Sequence, residues 1–436
     1  MIENPFTYGN PISDPGRFFG RRREVEQVYS RLLNAEAESS SLVGERRIGK
    51  TSLLQYLMHP DVRRRYAVDS DHYLFVYNDL QMIDPRTTPT RLAHRLISQL
   101  ARQCPDPELQ KMMDNLRQSE VIDNYALADL FDVIDSKDMH VIFLLDEFEN
   151  VTSNSNFGPD FFYGLRSLAI QHNLSLVTSS RSELIELTHS EAIRSSPFFN
   201  IFANINVRLF NAEEARELVE SSLDGSQIQF TPEEQSILSD LAGTHPFFLQ
   251  AACHFLFSGY TQGLDPASRL TQLRKEYFEE AAPHWSSYWR DSPDNEKILL
   301  TTLALLAHQG KTTQRSFSVD RLRSLYDRSE QTLTALEKRG LLRLVQEQYA
   351  LFCLPFGDWI VQEITNTMND QQPYEDWLKS NQGAMERLSR DARTQVTEIL
   401  PKISAKYRDL ILEWASDPKN LLAVTALVKS AISMIA

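Results

Sequence analysis

Three cysteines in 436 residues, Cys104, Cys253 and Cys353, are too few and too widely spaced for a disulfide framework, and no CxxC pair offers a zinc site. Each stands among apolar neighbours, which suits a small core residue in a reducing cytoplasm. The opening MIENPFTYGNP has neither a basic region nor an apolar run, so it does not read as a signal peptide. No stretch is apolar for long enough to span a bilayer; the longest, Leu421–Ala436, is too short and Lys429 interrupts it. Positive charge is in deficit as well. A formal net charge of −14 argues against a general polyanion binder, because counterion release needs clustered Lys and Arg. No repeat or low-complexity tract stands out, which excludes solenoids and propellers.

What the chain does contain is an alternation of strand-like and helix-like segments in its first half, the pattern of a parallel α/β sheet. Strands are expected at Ser40–Val43, Tyr73–Tyr77, Val141–Leu145, Leu174–Thr178 and Asn204–Leu209. Helical spacing marks Glu24–Leu33, Ser52–Met58 and Pro89–Arg102, and a capped helix begins near Asn211. After about residue 225 the strands stop. Thr231–Ala242, Pro246–Phe257 and Arg269–Trp289 read as helices, the first with Pro232 in its favoured first-turn position. Three further helices (KILLTTLALLA, VDRLRSLY, SEQTLTALEKRG) precede short strands LLRLVQE and QYALF, which is the winged-helix plan. A polar break, Asn366–Pro373, sets off a last helical segment from Tyr374 onward. The expected division is 1–225, 226–294, 295–365 and 374–436.

Between the first strand and the helix after it lies Gly44-Glu45-Arg46-Arg47-Ile48-Gly49-Lys50-Thr51, followed by Ser52. Glycines let such a loop curl until successive amides point inward at phosphate oxygens, and the helix N-terminus adds donors and partial positive charge. Lys50 would reach the β- and γ-phosphates and the Thr51 hydroxyl would ligate Mg²⁺. About a hundred residues on, VIFLLDEFE is an apolar strand ending in two acids. At the tip of a strand beside the phosphate loop, Asp146 would hold the Mg²⁺ and Glu147 would accept a proton from the attacking water. The basic residues of Arg17–Arg23 flank this same region, which accounts for them without a polyanion partner.

Taken in order, these segments resemble the STAND branch of the AAA+-related P-loop ATPases, especially its AAA-like bacterial and archaeal members. Phe18-Phe19-Gly20-Arg21 resembles the family's entry motif, which packs on the adenine; GERRIGKTSLL and LLDEFE resemble its phosphate and metal motifs. LSLVTSSRSEL resembles the strand ending in an arginine that senses the γ-phosphate, here Arg181; LAGTHPFFLQ resembles the lid motif whose proline, here Pro246, meets adenine or ribose. Read without the family, Arg181 also fits a surface arginine at a strand end, and His245-Pro246 the start of a helix.

The resemblance implies ATP or ADP with Mg²⁺ as cofactors. It implies slow hydrolysis and a switch: an ADP form closed by the winged helix, and an ATP form that opens and forms homo-oligomers. The residues alone do not separate ATP from GTP. The rival reading is a nucleotide-dependent DNA-binding regulator, or a scaffold with negligible turnover. Between Glu296 and Glu363, however, nine Lys/Arg face eight Asp/Glu, and Glu330 stands near the N-terminus of the candidate recognition helix, with only Arg339 and Arg343 placed for phosphate. The last segment is either a bundle docking on the winged helix or a contact for a protein effector.

Overall fold

A computed structural model describes residues 3–34, 37–69, 71–309, 316–318 and 329–366. It divides into two compact units, Gly9–Asp224 and a second formed by the residues up to Tyr8 with those from Gly225 onward.

The first unit is built on five parallel strands, β1 (Ser39–Val43), β2 (Tyr73–Asp79), β3 (His140–Asp146), β4 (Leu174–Ser180) and β5 (Phe202–Asn206), in the order β2-β3-β4-β1-β5. Parallel strands need crossovers, and the helices that supply them cover both faces, so β1, β3 and β4 are buried throughout. The two-residue period divides β3 cleanly. Val141, Phe143 and Leu145 enter one core with Leu74, Val76 and Leu176, while Ile142 and Leu144 enter the other with Phe75, Leu42 and Val177. The expected α/β parallel sheet is therefore present. Two details differ from the sequence reading. β4 stands between β1 and β3, so the strand of the acids is not the phosphate loop's immediate neighbour. β5 begins and ends earlier than the run Asn204–Leu209, because its partner β1 turns into the loop after Val43, leaving only the Val207 amide donating to the Val43 carbonyl (2.7 Å).

In the second unit the helices Pro232–Ala242, Pro246–Thr261 and Pro266–Asp291 pack around Trp285, Tyr277, Tyr288 and Phe248. The first carries a complete capping box, Thr231 with Glu234. Phe6 from the N-terminal segment joins this unit, stacking on Phe230 at 5.9 Å. Beyond it come the helices Asp294–Gln309 and Ser329–Lys338, then an antiparallel sheet in which β8 (Gln348–Leu351) lies between β6 (Phe317–Ser318) and β7 (Leu342–Val345), and the helix Leu354–Asn366. The sheet has three strands rather than the two read from the sequence. Its β7–β8 turn places Gln346 and Glu347 both at positive φ, 49° and 61°, the twist that a two-residue hairpin demands. Arg339 is taken up internally: its guanidinium donates to Ser292 Oγ (2.8 Å) and pairs with Glu296, both buried. The helix expected over VDRLRSLY and the whole segment 374–436 lie outside the described residues. Among the described residues no helix is long and apolar enough to cross a membrane.

Candidate functional site

The loop Gly44–Thr51 leaves the C-terminal end of β1 under tight steric control. The Gly44 amide donates to the Ser180 carbonyl at 3.1 Å, and a Cβ on Gly44 would stand 2.5 Å from the Val207 carbonyl oxygen, so no larger residue fits. Arg47 (φ 64°) and Gly49 (φ 102°) both turn the chain left-handed. Ile48 anchors the loop in the core at 1 % exposure. Helix Lys50–Met58 starts within the loop, two residues earlier than expected, because Gly49 acts as its N-cap and the Leu53 amide already bonds to the Gly49 carbonyl (3.0 Å). No side chain caps this terminus, so the amides of Lys50, Thr51 and Ser52 keep their donors for something outside the helix.

Lys50 lies inside the curl, 5 % exposed, and its Nζ donates to the Gly44 (2.8 Å) and Glu45 (3.2 Å) carbonyls. Two of its three donors are thus spent on shaping the loop and one is left for an anion. Glu45 is buried and its carboxylate accepts from the Arg46 amide (2.9 Å); Arg46 and Arg47 are exposed, and Arg47 reaches the Gly9 carbonyl (3.2 Å). Thr51 and Ser52 are half-buried in the first helical turn, where the Ser52 hydroxyl accepts from the Ile12 amide (3.0 Å).

The entry motif comes to the same loop. Phe18 stacks on Tyr56 with centroids 4.2 Å apart, and Phe19 is half-buried. Gly20 sits at φ 67° where a Cβ would press on the Phe210 ring and Glu214. Arg21, 2 % exposed, donates to the Ile48 carbonyl (2.9 Å), pairs with Glu24 (3.3 Å) and lies over the Phe210 ring. Burial lowers its pKa more than the two carboxylates, Glu24 and Glu214, raise it. Its guanidinium braces the loop from the protein side.

The acids are organised by one hydroxyl that the sequence reading passed over. Asp146 ends β3 at 2 % exposure; Ser179 Oγ donates to its Oδ1 and accepts from the Glu147 amide (3.1 Å). Tyr77, on β2, donates to the other Asp146 oxygen (3.1 Å), and burial followed by the Asp146 charge raises the phenol's pKa, keeping it a donor. Glu147 is held at φ 55°, a left-handed conformation that costs a non-glycine residue about 1–2 kcal/mol and persists only where neighbours enforce it. Here the enforcers are Ser179 and Asn150, whose amide and side chain both donate to the Glu147 carbonyl (3.1 Å each).

A third acid joins them. Glu149, 8 % exposed, accepts from the Arg181 amide at 3.3 Å through Oε1, while its buried Oε2 has no hydrogen-bond partner. Burial, and then the neighbouring Glu147 carboxylate, push its pKa up to about 6; Lys50 pulls the other way. Arg181 is half-buried immediately after β4. A curled donor loop with a buried ammonium, an uncapped helix start and a doubly hydrogen-bonded carboxylate fit a polyphosphate and its Mg²⁺ ion.

Of the sequence-derived candidates, those from Phe19 to Arg181 all lie in the first unit; the loop Gly44–Ser52, Asp146, Glu147 and Arg181 stand at the C-terminal ends of β1, β3 and β4, and Arg21 bonds to the loop. Pro246 belongs to the second unit, as N1 of the helix Pro246–Thr261, half-buried beside the buried His245. Tyr77, Ser179 and Glu149 were missed. Only Glu149 carries a signal in the sequence, two residues after Glu147; the other two act across the sheet, and pairing order decides that.

The family model nSTAND2, Novel STAND NTPase 2, matches residues 30–300. No curated protein matches the chain. Among solved structures, the Aeropyrum pernix ORC2 protein in its ADPNP-ADP complexes is similar with a TM-score of 0.51 at 16% identity, covering 83% of this chain and 98% of that one. The Walker-type ATPase paby2304 of Pyrococcus abyssi is similar with a TM-score of 0.49 at 18% identity, covering 81% and 99%.

Proposed function

The chain belongs to the novel STAND NTPase 2 family, and from that premise we propose that it is a cytoplasmic switch that binds ATP or ADP and hydrolyses ATP slowly. The observation that carries this reading is the joint built by Ser179, which ties Asp146 to Glu147 at the sheet edge where Lys50 is enclosed by its loop. ATP rather than GTP follows from the resemblance of the entry and lid motifs.

The amides of Lys50, Thr51 and Ser52 and the remaining donor of the Lys50 ammonium would hold the β- and γ-phosphates. Thr51 and Asp146 would hold Mg²⁺, which when bound neutralises phosphate charge. Tyr77 and Ser179 keep the Asp146 carboxylate oriented, and Glu147, fixed by its strained backbone, accepts the proton of the attacking water at its carboxylate. Arg181 reads the γ-phosphate. Phe19, Gly20 and Arg21 would support the adenine side of the loop, and Pro246 would meet adenine or ribose from the lid. Because only the triphosphate satisfies Lys50 and Arg181 together, the two nucleotides favour different arrangements of the chain, which is what a switch requires. Self-assembly in the ATP state, and an effector contact through residues 374–436, belong to the same proposal.

Within 295–365, read as a winged helix, the ion pair of Arg339 with Glu296 supports a packing role over DNA binding, since it consumes one of two candidate phosphate ligands. Calorimetry with Mg²⁺ and ATP tests the central claim. Lys50→Ala should lower affinity at least about a hundredfold; unchanged uptake would end the proposal. Glu147→Gln should bind as well as the wild type yet turn over roughly 100-fold more slowly; undiminished turnover would remove its assigned part. A salt-sensitive gel shift with duplex DNA near physiological ionic strength would instead favour the regulator reading.

A further inference from the structure

Burying a carboxylate is costly unless it is paired or used. Glu149 is buried with one oxygen lacking any hydrogen bond, stands beside a second carboxylate, and makes no ion pair among the described residues. What it does hold is the Arg181 main chain. After Ser180 the chain leaves β4, and the neighbouring strands have ended: β1 has turned into the phosphate loop, whose Gly44 amide takes the Ser180 carbonyl, and β3 has ended at Asp146. The first amide beyond the strand therefore has no ladder partner, and Glu149 Oε1 accepts from it. Glu149 in turn opens the short helix Glu149–Thr152, attached through Phe148 to Glu147.

We propose that Glu149 is a positioning residue that ties Arg181 to the acid pair, so that the arginine reads the terminal phosphate only from the place this carboxylate sets. The inference rests on the nucleotide reading above and extends it to the last residue of LLDEFE, which that reading leaves without a role. Glu149 acts through the Arg181 backbone and through the segment carrying Glu147.

Calorimetry with Mg²⁺, using ADP and the non-hydrolysable imido analogue of ATP as probes, measures triphosphate-over-diphosphate preference. Glu149→Ala should reduce that preference about tenfold or more, the worth of a charge-assisted contact, to the same value as Arg181→Ala, and the double variant should fall no further. Glu149→Gln, whose amide oxygen still accepts from the Arg181 amide, should restore it. Glu149→Asp, one methylene shorter, should repeat the loss even should the alanine variant fail to fold. Equal weakening of both nucleotides, an unchanged preference, a double variant that loses the product of the single effects, or a wild type without preference would each overturn the inference. Wild-type protein that takes up neither nucleotide would end the nucleotide reading itself, whereas normal wild-type discrimination with insensitive Glu149 variants would end this inference alone.

Discussion

Glu149 shows how a single buried residue exchanges stability for position. Its folded-state pKa, about 6, lies above the ordinary 4.5, so between those values the native state binds the extra proton and stability falls as pH rises. Replacing it by Gln should therefore stabilise the fold at pH 7.5 by on the order of 1–2 kcal/mol and change little at pH 4. Denaturant midpoints at the two pH values measure this; equal effects at both would refute the titration. Ser179 has the opposite profile. Ser179→Ala removes a donor from Asp146 and an acceptor from the Glu147 amide, and should cost about 1–3 kcal/mol while slowing turnover tenfold or more. Turnover that survives intact in a folded variant would show that Asp146 and Glu147 hold their places without it. The phosphate-loop residues were legible from the sequence because they act through local backbone geometry, whereas Ser179 looks like any serine in TSS until β4 is placed beside β3.

At the scale of elements, the buried runs VIFLL and YLFVY announced themselves as strands, and the helix starts at Pro89, Pro232, Pro246 and after the cap Asn211 were equally plain, whereas the start at Pro266 was read three residues late, at Arg269. Pairing order was not. Nothing local reveals that β4 inserts between β1 and β3, since parallel strands choose neighbours through crossover packing rather than through their own sequence. The helix Lys50–Met58 began earlier than its apolar pattern because Gly49, a left-handed cap, outweighs periodicity. A comparable glycine joins two elements of the second unit. Gly243, at φ 58°, ends the helix Pro232–Ala242, and a Cβ there would stand 1.9 Å from the Phe352 carbonyl oxygen. Gly243→Ala should destabilise that unit by roughly 3 kcal/mol or more, from backbone strain and displacement of Phe352 together. Tryptophan fluorescence in denaturant reads this directly, because all five tryptophans fall after residue 280; an unmoved midpoint would show that the chain relaxes around the methyl group.

For the whole molecule that distribution separates two observables: circular dichroism follows both units, fluorescence only the second. A ligand at 100 times its dissociation constant adds about 2.7 kcal/mol to whatever unit binds it. Mg²⁺ with ATP should therefore raise the dichroism transition of Gly9–Asp224, and the tryptophan transition should follow only to the extent that the two units unfold together. A nucleotide-dependent shift confined to fluorescence would place binding in the wrong unit. The residues by themselves determined that this chain carries a phosphate loop on an α/β sheet followed by helices, because amide cradles, caps and buried runs are written in consecutive positions. Tertiary structure alone decided the rest. Tyr77, Ser179 and Glu149 meet Asp146, Glu147 and Arg181 only because strand order brings β2, β3 and β4 side by side, and Arg339 is taken up by Ser292 and by Glu296 only because other elements pack against it. Hydrogen bonds across a sheet or between helices depend on which elements pack together, and that choice is made by the burial of whole faces rather than by any local stretch of chain.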